Sequence, residues 1–303
     1  MAAPSGAEGP PEFERWLAAR RAEFEAALSV HLKEIEAAAS PHTRLPAAVV
    51  YSVRLGGKRF RPILVLECCR VCGGDVEHAL PAAIAMECVH AFSLIHDDLP
   101  AMDNDDFRRG QPTNHKVFGE GLAVLAGDWL VTHAFGLLAN AGPGPAVVPE
   151  LLRTLAEGTQ RMILGQGADI ESEGRPADAE LVRYIHQHKT AALIESCCRL
   201  GALCAGAGPE QIAPLAEYGH RLGVAFQIMD DVLDVTSSAA KMGKRVGKDA
   251  AATKQTYPAA VGLEESRAEA DREVTAALAA LAPFGRRADR LRDLARYVIQ
   301  RDH

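Results

Sequence analysis

An all-α fold, one large bundle of antiparallel helices forming a single domain over residues 1–303, is what this sequence predicts, and three observations carry it. Long segments rich in Ala, Leu, Ile and Glu follow one another. Short Gly- and Pro-containing breaks separate them. No sustained period-two runs of β-branched residues lie between, which argues against an α/β sheet. With 303 residues, 48% of them apolar, the chain has material for a substantial core without disulfides or a structural metal. Division into two smaller helical domains stays open on this pattern alone.

After a Pro/Gly-rich start, Phe24, Leu28, Leu32 and Ile35 recur at spacings of four, four and three. They form the apolar face of a helix about 20 residues long that ends near Ser40-Pro41. Further helical stretches run roughly 45–70, 80–98, 118–139, 146–170, 178–204, 211–235, 261–280 and 286–300, a bundle of eight to ten helices. Cys72-Gly-Gly-Asp75, Asn140-Ala-Gly-Pro143, Glu173-Gly-Arg-Pro176 and Gly206-Ala-Gly-Pro209 punctuate them. The segment from Gly121 to Ala139 is the most membrane-like, but Asp128 and His133 within it are costly in lipid. It reads as a buried helix, and no transmembrane segment is expected.

The 33 basic and 40 acidic residues give a net charge of -7, so no global field favours nucleic acid, and any phosphate must be held by local charges. Seven cysteines, with the pairs Cys68/Cys69 and Cys197/Cys198, sit in apolar surroundings without the spacing of a disulfide scaffold. Cys69-Arg-Val-Cys72 lacks the second pair a zinc site needs. No basic, apolar and small-residue succession opens the chain, so the expected setting is the cytoplasm.

Three constellations carry chemistry. The first runs from His96-Asp97-Asp98 through Pro100 to Asp103-Asn-Asp-Asp106, straight after an apolar helical pattern. Five carboxylates within ten residues repel one another and call for a compensating cation or solvent. His90, Ser93 and Asp97 share a face, because seven residues return within about 20° of two full turns. Asp103 would point about 120° away on an unbroken helix, but Pro100 breaks the regular hydrogen bonding and can swing it back towards Asp97.

The second is Phe226-Gln227-Ile228-Met229-Asp230-Asp231-Val232-Leu233-Asp234, where Gln227, Asp230 and Asp234 share one face of an unbroken helix. Two such clusters facing each other across a cavity can hold hard divalent ions through oxygen ligands, and magnesium so bound usually takes substrate phosphates as well. The third is a set of basic groups: Gly57-Lys-Arg-Phe-Arg-Pro62, Arg108-Arg109-Gly110, His188-Lys189-Thr190, Lys244-Arg245 and Lys254. Together with the acidic clusters they suggest phosphate chelated by cations and metal jointly. Neither a G-x-G-x-x-G nor a G-x-x-x-x-G-K-[ST] motif occurs, which disfavours a kinase or GTPase.

These motifs resemble the trans-isoprenyl diphosphate synthase family, specifically the farnesyl and geranylgeranyl diphosphate synthases of bacteria and plastids. The likeness runs from Gly56 to the final residues. Its two aspartate-rich motifs correspond to Asp97–Asp103 and Asp230–Asp234, and Pro112–Phe118, Leu125–Asp128, His188–Thr190 and Thr256–Pro258 match between and after them. The resemblance implies the isoprenoid synthase fold with a central cavity, a homodimer, and magnesium, three ions per active site. It implies Asp97, Asp103 and Asp230 as metal ligands, with Asp98 and Asp234 assisting. It assigns the allylic diphosphate to Arg108, Lys189, Gln227, Lys244 and Lys254, and isopentenyl diphosphate to Lys58, Arg61, His90 and Arg109. Thr190 would face the carbocation. A terpene cyclase of the same helical type would leave Lys58, Arg61 and His90 unexplained, and a non-enzymatic scaffold would not need both complete aspartate motifs.

Chain length turns on Phe92, five residues and about 7.5 Å along the helix from Asp97. Farnesyl-type bacterial members of the family carry a large aromatic at this position, whereas plastid geranylgeranyl-type members carry a smaller or more flexible side chain. Asp103–Asp106, Pro112–Phe118 and Ile185–Leu193 look closer to the geranylgeranyl group. A bulky ring closes a pocket physically, so a C15 product, farnesyl diphosphate, is the expectation, with geranylgeranyl diphosphate the alternative.

Overall fold

A computed structural model describes residues 12–37, 41–241 and 255–300, with side chains from 41 through 236 in the middle segment. Helix α1 (Glu12–Ala37) buries Phe24, Leu28, Leu32 and Ile35, the face its spacing predicts. The stretch expected as one helix over 45–70 is two, α2 (Leu45–Arg54) and α3 (Phe60–Val71). Gly56 and Gly57 between them hold φ of 78° and 142°, outside helical space, and break the run.

Helix α4 (Val76–Asp97) is capped by Asp75, whose carboxylate accepts the Glu77 N–H at 3.0 Å, and it stops at Asp97, three residues short of Pro100. A two-stranded hairpin follows, β1 (Phe107–Arg108) against β2 (Gln111–Pro112). Its turn residues Arg109 and Gly110 both have positive φ, 54° and 76°, the geometry whose twist suits a two-residue hairpin. Helices α5 (Asn114–Phe118) and α6 (Glu120–Leu138) are separated by Gly119, and α7 runs Val148–Glu171. The expected 178–204 helix is α8 (Ala179–Ile185), a π-helical turn over His186–Ala191, and α9 (Ala192–Cys204). The longest helix, α10, spans Pro209–Lys241. Three more follow, α11 (Tyr257–Val261), α12 (Leu263–Ala280) and α13 (Asp289–Gln300).

The core lies where α3, α4 and α9 meet. Ile63, Leu64, Val65, Met86, Val89 and Leu200 there are at most 1% exposed, and α6, α7 and α10 pack around them. All seven cysteines are free thiols, six of them buried in this core. Helix α6 departs from the expectation of a buried helix: Ala123, Ala126, Leu130, Ala134 and Leu138 are buried, but Val124 and Leu125 face outward, Leu125 at 51% exposure. Its sequence is apolar on both sides, so composition alone conceals which face is covered.

Candidate active site

A cavity of about 850 Å³ opens among α3, α4, α7, the π turn, α10 and the β1–β2 hairpin. Asp97, the last residue of α4, stands on its wall, and Asp230 of α10 belongs to the same lining. The chain turns back after Pro100: the Asp103 N–H donates to the Asp97 carbonyl at 2.8 Å, which folds the acidic loop onto the helix end. Burial raises the Asp97 carboxyl to about 6; Lys189 counters this, while the neighbouring charges of Asp103 and Asp98 add to it.

The second aspartate of each motif does something else. Asp98 is 3% exposed and grips Arg108, accepting from Nη2 at 2.6 Å and from Nε at 2.8 Å. That clamp fixes the β1 arginine against the cavity. Asp231 is 7% exposed, accepts the Tyr257 N–H at 2.9 Å, and lies 3.1 Å from His186 Nε2. Asp230 is left to face the cavity one position earlier.

One end of the cavity is strongly cationic, with Lys58, Arg61 and Arg109 around His90. The His90 imidazole is held well below its usual value, by burial first and then by Arg61, Arg109, Arg108 and Arg59. It is therefore neutral, a donor without a competing charge. Arg59 organises this end from behind. It is 4% exposed, in left-handed conformation (φ 50°), with its guanidinium paired to Glu87 and Glu25 and donating to the Val53 carbonyl at 2.8 Å. A Cβ on Gly57 would stand 2.6 Å from Arg109 Nη2, so glycine there lets the hairpin arginine reach the wall.

At the other end the π turn presents Lys189 and Thr190. An inserted residue in a helix re-aims the side chains that follow, which suits a functional wall. Lys189 Nζ donates to Asp169 of α7 at 2.6 Å, and the Thr190 hydroxyl donates to Gln227 Oε1 at 2.7 Å. Away from the charges the lining turns apolar, with Phe92, Met162, Leu193, Phe60 and Phe226, the last two rings 5.4 Å apart.

Of the residues expected from the sequence, the cavity gathers Asp97, Asp230, Lys58, Arg61, His90, Arg109, Arg108, Lys189, Gln227, Thr190 and Phe92. Asp98, Asp103 and Asp234 lie outside its lining, and Lys244 and Lys254 fall outside the described residues. Four participants were given no role of their own in the sequence: Arg59, which lies inside the basic group 57–62, Asp169, Arg21 of α1, and Gln166 of α7, whose buried amide lines the cavity and makes no hydrogen bond among the described residues. Arg59 could have been suspected from the Gly-Gly break before it. The other three are ordinary helix residues until the tertiary fold aims them.

The carboxylates fit a hard divalent cation. The donors are oxygens, and the like charges crowding Asp97 are what such an ion relieves. Among the described residues no three His, Cys, Asp or Glu side chains close on one point, so these acids do not form a ready-made cage.

A helical bundle whose cavity is lined by carboxylates, by several lysines and arginines and by apolar side chains fits an enzyme class that handles diphosphates of apolar compounds. The chain belongs to the polyprenyl synthetase family, whose family model matches residues 42–285. It is 47% identical over 225 residues to a farnesyl diphosphate synthase of Geobacillus stearothermophilus, covering 73% of this chain and 76% of that protein. It is 46% identical over 261 residues to a chloroplastic geranylgeranyl pyrophosphate synthase of Catharanthus roseus, covering 84% and 72%. A solved FPP/GFPP synthase of Zymomonas mobilis superposes with a TM-score of 0.82 at 35% identity, covering 95% of this chain and 98% of that one. The protein is a trans-prenyltransferase with the all-α isoprenoid synthase fold.

Proposed function

We propose that this enzyme condenses isopentenyl diphosphate with dimethylallyl or geranyl diphosphate to give farnesyl diphosphate. One observation supports that length: Phe92 lines the cavity on the same helix as Asp97 and is only 9% exposed, bulk that would stop a growing tail at that depth. Geranylgeranyl diphosphate is the second reading, favoured by the plastid relatives.

Arg108, Lys189 and Gln227 receive the allylic diphosphate beside Asp97 and Asp230, while Lys58, Arg61, Arg109 and neutral His90 receive isopentenyl diphosphate. Magnesium ions, three per site and held by Asp97, Asp103 and Asp230 with Asp98 and Asp234 assisting, would supply the charge neutralisation that lets the diphosphate leave. Cleavage of the allylic C–O bond leaves a delocalised cation, which the oxygens of Thr190 and Gln227 face. The isopentenyl double bond attacks that carbon. A new C–C bond forms, and the resulting tertiary cation loses a proton to the released diphosphate. The apolar lining keeps water from the cation, and holding the two substrates together removes the entropic cost of their encounter.

Incubation with magnesium, isopentenyl diphosphate and dimethylallyl diphosphate, followed by chromatography, tests the reading. Mainly C15 product supports it, and mainly C20 transfers it to geranylgeranyl diphosphate. Two further expectations belong here. Leu125 of α6 and Leu164 of α7 are 51% and 59% exposed, apolar side chains suited to contact with a second copy of the chain, and a monomer by light scattering would refute the homodimer. Seven free thiols suit a reducing, cytoplasmic setting.

A further inference from the structure

Phe92 does not hold its place alone. His96, four residues on, shares its face of α4, and the two rings meet edge to face with centroids 4.9 Å apart at 76°. Beyond His96 stands α6. The imidazole Nε2 lies 3.0 Å from the Val124 carbonyl, which can only accept, so Nε2 carries the proton in this pairing. Gly127, one turn along α6, faces the ring directly. A Cβ there would stand 2.5 Å from His96 Cδ2 and closer still to Nε2, so the imidazole would have to shift. The imidazole is thus seated in a notch of α6 that glycine leaves open, with its other edge against Phe92. Both rings line the cavity.

We propose that His96, seated against Gly127 and the Val124 carbonyl, is a positioning residue that sets product length by fixing the Phe92 ring at the cavity floor. This rests on the reading of Phe92 given above. An aromatic side chain blocks a growing tail only if it cannot rotate away, and His96 packs against the Phe92 ring on one side and against α6 on the other. Removing the imidazole gives the phenyl ring room to retreat towards α6 and deepens the cavity. Adding a methyl at position 127 does the reverse: the imidazole loses its notch, moves off α6 towards Phe92, and drives the ring into the cavity.

The two substitutions therefore act in opposite directions. His96→Ala raises the C20:C15 product ratio over wild type by at least about fivefold, and Gly127→Ala shifts product towards C10 by a similar factor. In a Phe92→Ala background Gly127→Ala has no effect on the distribution, because the ring it acts through is gone. A residue needed only for folding lowers yield or turnover without moving the distribution, and it gives no opposed pair. If Phe92→Ala lengthens the products while His96→Ala and Gly127→Ala leave the wild-type distribution, His96 does not position the floor and the Phe92 reading stands. If Phe92→Ala itself changes nothing, both fall. Should circular dichroism show that Gly127→Ala does not fold, His96→Asn decides: it retains an N–H for α6 but not the ring, and longer products support the proposal whereas an unchanged distribution overturns it.

Discussion

The two aspartate segments bring the same residue type to one cavity by different means. Asp230 and Gln227 lie on one face of the unbroken α10, so helical periodicity alone aligns them. Asp97 belongs to a helix end and Asp103 to the loop beyond it; backbone hydrogen bonds across the break, from Asp103 N–H to the Asp97 carbonyl and from Asn104 N–H to the Leu99 carbonyl, turn the loop back, with Asp97 in the cavity lining and Asp103 outside it. The middle aspartates differ as well. Asp98 spends its carboxylate on the half-buried Arg108, a cavity residue, whereas Asp231 spends its own on His186, the Tyr257 backbone and Gln227, ties that hold α10 to the π turn and α11. Adjacent acids in one motif thus divide into one that faces the cavity and one that maintains the wall.

That division is sharpest where the effect is largest. Asp97→Ala and Asp230→Ala should each lower kcat by about a hundredfold to a thousandfold at saturating magnesium, with the far-UV circular dichroism spectrum unchanged. Near-wild-type kcat in either variant would remove that residue from the metal site. Asp231→Ala is expected to act on stability instead, at about 3 kcal/mol in urea denaturation, because a buried N–H and an imidazole lose their acceptor. A loss confined to turnover would reverse the roles drawn for Asp230 and Asp231.

The Asp97 carboxyl supplies a test with a sign. Its folded value of about 6 lies above the unfolded 3.8, so the native state binds more protons and loses stability as pH rises through that window. The penalty is complete above about pH 6. Asp97→Asn removes it, so in chelator-treated protein this variant should melt higher than wild type at pH 7.5, on the order of 2 kcal/mol, and the gap should close towards pH 4. A gap independent of pH would show that burial of Asp97 is not what it costs the fold. The smallest effect concerns the opposite end of the cavity: Lys58→Ala should raise KM for isopentenyl diphosphate about tenfold and leave the allylic KM within about twofold. Equal rises for both substrates would move Lys58 out of that end.

Much of this was legible before any coordinates. The α1 face of Phe24, Leu28, Leu32 and Ile35, the Asp230/Gln227 alignment and the return of Asp103 after Pro100 all follow from local rules: a 3.6-residue repeat, and a ring that cannot continue it. The one-helix expectation for 45–70 fails because Gly56 and Gly57 take φ of 78° and 142°, which no helix continues through. The β1–β2 hairpin was missed because Arg-Gly seldom announces a turn that needs positive φ at both positions.

Residue types and spacings by themselves determined that the chain is all helical, that its acids fall in two groups able to face each other, and that it has the family's motifs, because these depend on contacts within a few residues. Only the tertiary structure decided which aspartate of each pair faces the cavity, that Arg59 pins the cationic wall through Glu25 and Glu87, that Lys189 meets Asp169, and that one face of an evenly apolar α6 stays outward. Most of those depend on partners 20 or more residues away in sequence, and the Asp98–Arg108 pair, ten apart, spans the turn and hairpin between them; the direction of approach is set by how the elements pack and is written in no local pattern.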